Sequence, residues 1–133
     1  MIIISPKEFA GTSGKPGSQF TGTVFSYMTM PSTDDVTINS VNFTPCARTY
    51  WHHHEGGQIL IVLAGRGLVQ ADGEPVRVIR FGDTIWTPPG QRHWHGGTSD
   101  SFLTHTAISL GVTAWAEEVT DDEFNAVATV EEN

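Results

Sequence analysis

Two stretches, Tyr50-Trp51-His52-His53-His54-Glu55-Gly56-Gly57-Gln58 and Gly90-Gln91-Arg92-His93-Trp94-His95, hold five of the six histidines in this chain. Imidazoles in such numbers bind transition metals or move protons near neutral pH. Side chains along a strand alternate between faces, so His52 and His54 share one face and His53 points the other way. Two imidazoles about 7 Å apart along a strand can converge on one ion. The Gly56-Gly57 turn can swing the amide oxygen of Gln58 towards the same point. His93 and His95 again share a face and offer a further donor. A run of three histidines at a terminus would read as a tag, whereas these lie between β-rich segments.

Composition narrows the classes of function. Against 7 Lys plus Arg stand 15 Asp plus Glu, a net charge of −8 in 133 residues. Nucleic acid and acidic membrane surfaces are excluded as partners, because both need clustered cations. The length fits one domain, 1–133, with room for a proper core. The opening Met-Ile-Ile-Ile lacks the basic flank and length of a signal peptide, and no run approaches the ~20 apolar residues of a membrane span. The cytoplasm is the expected location. A lone cysteine, Cys46, excludes an internal disulfide.

The elements that must position the histidines read as short strands between turn residues. Residues 11–22 read as a surface loop, and β-rich runs follow at 23–30, 36–43 and 58–63. Gly65-Arg66-Gly67 reads as a turn into 68–71. Asp72-Gly73 then reads as a hairpin whose two turn positions both tolerate positive φ. Runs at 76–80, 84–87 and 102–110 complete the pattern, with Asp83 stabilising the turn between the first two of them. Turn signals at ~8–12-residue spacing predict an all-β sandwich or barrel. Thr120-Asp121-Asp122-Glu123 is a capping box ahead of Phe124 and predicts a short C-terminal helix. Cys46, at the start of a strand, is expected to pack, and the four tryptophans to be core or dimer-face residues.

The spacing resembles the two motifs of the cupin superfamily. Cys46, in the first motif's glycine position, is followed at matching intervals by His52, His54, Gln58 and Gly65. Gly82, Pro88, Gly90 and His93 follow the second motif, with Gly97 in its asparagine place. These motifs span 46–65 and 82–97 inside a barrel of about 23–112, and imply a small jelly-roll barrel. The segments Ala47-Arg48-Thr49, Gly57-Gln58, Gly90 to Gly96, Thr104 to Ile108 and Trp115 to Phe124 are similar to the group containing the manganese-dependent hydroxynitrile lyases.

That resemblance implies that His52, His54, Gln58 and His93 are metal ligands. It implies that His95 and His105 support the ligands or act as acid–base groups beside the ion, while Ser109, two residues along the same face from Ala107, departs from the longer amide side chain expected there in the lyases. The implied cofactor is a divalent transition metal, Mn(II) first, although Fe(II), Co(II), Ni(II) or Zn(II) also suits three His and one Gln. The implied activity is a lyase reaction on a small α-hydroxy or carbonyl compound. Alternatives are an Fe(II) dioxygenase acting on a small diketone or thiol, and a non-catalytic small-ligand binder. The expected assembly is a homodimer or tetramer, pairing through edge strands.

Overall fold

A computed structural model describes residues 1–5 and 18–127. Along the described chain run β1 (Phe20–Thr21), β2 (Val24–Thr33), β3 (Val36–Phe43), β4 (Arg48–Thr49), β5 (His52–His54) and β6 (Gln58–Ala71). β7 (Arg77–Arg80), β8 (Thr84–Thr87), β9 (His93–Gly97), β10 (Leu103–Leu110) and β11 (Thr113–Trp115) follow, then a helix, α1 (Asp121–Val127). Every pairing is antiparallel, and the strands close most of a barrel. All-β architecture with one short C-terminal helix is what the turn spacing predicted.

The central element is β6, and here the sequence reading needs correction. Gly65-Arg66-Gly67 is not a turn: one strand runs unbroken from Gln58 to Ala71. Its first half pairs with β8 and β10, and its second half with β7 and β9. The strand passes between the two walls of the barrel at Gly65–Arg66, just after a bulge at Leu63 where register slips between Thr104 and His105 of β10. Gly65 has φ 77°, and a Cβ there would sit 2.0 Å from the Phe102 carbonyl oxygen. Only glycine meets both conditions.

Other local readings also shift. Of the 11–22 loop, residues 11–17 lie outside the described residues, while Phe20 and Thr21 form β1 against β4. At the 72–73 hairpin only Gly73 has positive φ, and Glu74 N–H bonds the Ala71 carbonyl at 3.0 Å. Asp83 does stabilise its turn, accepting from the Arg80 N–H at 2.8 Å. Cys46 does not pack: it is exposed, in a turn, with φ 69°. The left-handed backbone there explains why a glycine suits that motif position.

Two apolar clusters hold the barrel. Leu60, Val62, Val41, Phe43, Leu103 and Ala107 fill the interior. Trp51, Leu68, Trp94, Val119 and Phe124 form a second cluster, bringing the C-terminal segment onto the opposite side of β6 and β9. Thr120 Oγ1 accepts from the Glu123 N–H at 3.1 Å, and Glu123 Oε1 accepts from the Thr120 N–H at 3.1 Å, the reciprocal box expected. Buried Arg48 fastens this segment, donating to the Val119 carbonyl at 2.8 Å and to Asp121 at 2.8 Å. With both faces covered, every residue of β9 is buried, so His93 and His95 face inward while Trp94 packs outward.

Candidate metal centre

Register, more than proximity in sequence, assembles the site. His52 of β5 stands opposite His93 of β9, and their rings lie 4.3 Å apart. Thr113 and Trp115 of β11 stand opposite His54 and His52. Gln58 of β6 stands opposite Ser109 of β10. Directly opposed residues on antiparallel strands put their Cβ atoms ~5 Å apart, so each pair meets inside the barrel. His52 and His54 are buried and His53 is exposed, following strand alternation.

The structure brings His52, His54, Gln58, His93, His95 and His105 into one buried group. Ring nitrogens of His52, His93 and His95 lie within 4.8 Å of one another. The His54 ring is 5.0 Å from that of His52 and 5.5 Å from that of His93. His105 stands behind His95, with Nε2 at 3.0 Å from His95 Nδ1. This triplet includes His95, which sequence resemblance implied to be an acid–base group.

Hydrogen bonds set the tautomers. His52 Nδ1–H donates to the Tyr50 carbonyl at 2.8 Å, and His93 Nδ1–H to the Gln91 carbonyl at 2.9 Å. A carbonyl only accepts, so Nε2 of each neutral ring keeps its lone pair. His54 Nδ1 lies 2.9 Å from Thr113 Oγ1. Nε2 of His54 and of His95 are buried without a hydrogen-bond partner. Gln58 Oε1 lies 3.0 Å from His93 Nε2, placing two acceptors face to face. A cation between such atoms turns repulsion into attraction, and orphaned buried nitrogens call for the same remedy. The donor set therefore fits a divalent metal, three imidazoles being the clearest part of it.

Burial sets the charge state. It is the main cause holding His52 and His95 well below the ordinary histidine range, reinforced by His93 for the first and His105 for the second. Burial likewise lowers His54, with help from His93, to about 4, and His105 to about 4. His93 is lowered as well, again by burial. Neutral imidazoles are the metal-binding and proton-accepting form.

The cluster opens on a cavity of about 260 Å³. Phe20, Val41, Ala107 and Trp115 give it apolar walls, and Ser26, Asn39, Thr49 and Ser109 give it hydroxyl and amide groups. Among the described lining residues there is no Lys, Arg, Asp or Glu. Phe20, Asn39, Thr113 and Trp115 were not assigned to the site from sequence. Thr113-Ala114-Trp115 carries a weak alternation that could have marked a strand edge, and Trp115, 4.6 Å from the His52 ring, is a wall residue, not core.

A near-closed antiparallel barrel with inward-facing histidines on β5, β9 and β10 defines a class of protein. The chain belongs to the cupin family, whose domain model matches residues 39–107. It is 42% identical over 119 residues to an (R)-mandelonitrile lyase of Granulicella tundricola, covering 84% of this chain and 91% of that one. A cupin-like protein of Thermotoga maritima superposes with TM-score 0.84 at 38% identity, over 90% of this chain and 96% of the other. A cupin superfamily protein of Desulfitobacterium hafniense shares the fold alone, with TM-score 0.61 at 18% identity, over 68% and 79% of the two chains.

Proposed function

We propose that the protein is a metal-dependent lyase that cleaves a small, uncharged α-hydroxy nitrile into a carbonyl compound and hydrogen cyanide, and runs the reverse addition. The observation that carries this reading is the group of neutral imidazoles and one amide opening on a cavity without charged lining among the described residues. The 42% identical mandelonitrile lyase agrees with it. A volume of about 260 Å³ lies just below the range of drug-sized sites, so the substrate is small. The rings of Phe20 and Trp115, 5.7 Å apart, suit a flat apolar or aromatic substituent.

His52, His54, Gln58 and His93 would hold the ion, which we propose to be Mn(II). A divalent ion held there supplies Lewis acidity. His95 Nε2, orphaned and held below its ordinary basicity by burial, accepts the substrate's hydroxyl proton. As the hydroxyl oxygen forms the carbonyl, the carbon–carbon bond breaks and its electron pair leaves with cyanide. His95 returns the proton to cyanide, closing the balance. His105 orients the His95 ring through the 3.0 Å contact between their nitrogens.

The test is turnover of mandelonitrile to benzaldehyde by Mn(II)-replete protein, with metal content measured on the same sample. Cleavage that vanishes on chelation and returns with Mn(II) supports the reading. No cleavage, with oxygen uptake by the Fe(II)-loaded protein, would favour the dioxygenase instead. We further propose a homodimer. Alternation turns Phe25, Tyr27 and Leu63 outward from strands whose inner residues fill the barrel, leaving them exposed on one sheet face. Light scattering behind size exclusion measures that mass directly.

A further inference from the structure

We propose that Ser109 is a positioning residue that holds the amide of Gln58 with its oxygen facing the metal centre. This rests on the metal-binding reading above and deepens it. Gln58 Nε2 donates to Ser109 Oγ at 3.1 Å while Gln58 Oε1 lies 3.0 Å from His93 Nε2. Both residues are buried, at 3% and 8% exposure, and stand directly opposite each other on β6 and β10.

A carboxylate ligand presents an oxygen whichever way it turns. An amide does not, and a primary amide with its oxygen on a cation must place its NH₂ group elsewhere. In this barrel that group has Ser109 Oγ as its acceptor. Without the hydroxyl, the oxygen-inward orientation leaves a buried donor unsatisfied. The flipped amide would donate to the lone pair on His93 Nε2, a lone pair exposed because His93 Nδ1–H is committed to the Gln91 carbonyl. That flipped state competes with the metal. Ser109 removes the competition, which a carboxylate in place of the amide would never face.

The experiment measures the Mn(II) dissociation constant of metal-stripped protein by competition with a fluorescent chelator. Ser109→Ala should weaken binding roughly 10-fold or more, the usual scale for a group supporting a ligand. Ser109→Thr keeps an Oγ acceptor and should restore most of the affinity. Gln58→Glu should bind Mn(II) at least as well as wild type, and adding Ser109→Ala to it should change little. Equal losses from Ser109→Ala in the wild-type and Gln58→Glu backgrounds would assign Ser109 a general packing role and overturn the proposal. So would unchanged affinity in Ser109→Ala. A wild-type protein that takes up no Mn(II), Fe(II) or Zn(II) overturns the metal reading itself, and this inference with it.

Discussion

His53 is exposed while His52 and His54, on either side of it, are buried, so neighbouring residues provide an internal control. His54→Ala removes a ring whose Nε2 has no other partner and should lower metal content sharply. His53→Ala should leave metal content unchanged. Elemental analysis of both purified variants decides, and equal loss would mean that strand alternation does not govern the site. His95→Ala separates binding from proton transfer: metal should stay while turnover falls ~10²–10⁴-fold. Loss of the metal in that variant would make His95 a ligand, in keeping with its place within 4.8 Å of His52 and His93 nitrogens. The inward set was legible because His-x-His on a strand has only one face to share. Thr113, Trp115 and Asn39 were not legible, since each reaches the cavity through cross-strand register that no local pattern encodes.

β6 makes the same point among the elements. Its two apolar runs were plain, but the Gly65-Arg66-Gly67 interruption resembles a turn in sequence and is extended, paired strand in space, the bulge lying at Leu63 before it. What distinguishes them is the partner strands, since β10 pairs as far as Gly65 and β7 and β9 take over at Arg66 and Gly67, holding the chain extended. Gly65→Ala would demand a left-handed alanine with its Cβ against the Phe102 carbonyl. Strain and overlap together should cost about 3 kcal/mol, read from urea unfolding midpoints. Because β6 carries Gln58 at one end and pairs with His93 and His95 at the other, the variant should also bind Mn(II) more weakly. A stable variant with native metal affinity would show that the crossing at Gly65 does not align the two walls. The capping box needed no partner strand and was fully legible, its two bonds closing within four residues.

Folding the whole molecule buries five imidazoles whose pKa values all fall, the largest cause in every case being burial. His105 moves from the ordinary 6.5 to about 4. Between those values the unfolded chain binds a proton that the folded chain refuses, so stability rises with pH across the window. Above pH 6.5 both states are neutral and the full stability is present; as pH falls towards 4 it is progressively lost. For His105 alone the loss amounts to about 3 kcal/mol. The other four rings add to it in the same direction. Protons also compete with a metal for the Nε2 lone pairs, so bound Mn(II) should leave over the same range. Urea unfolding of metal-stripped protein should therefore show stability dropping from pH 7 to 4.5. His105→Gln, unable to titrate, should flatten that slope by up to one proton's worth. A slope unaltered by His105→Gln would mean that this ring binds as many protons in the native barrel, beside His95 Nδ1 and the ring of Phe43, as in the unfolded chain, so that burial does not lower its pKa. Below pH 6.5 it would then be protonated and unable to accept from the His95 Nδ1–H, and His95 would have to present its lone pair to His105, leaving its cavity-facing nitrogen unable to act as the base.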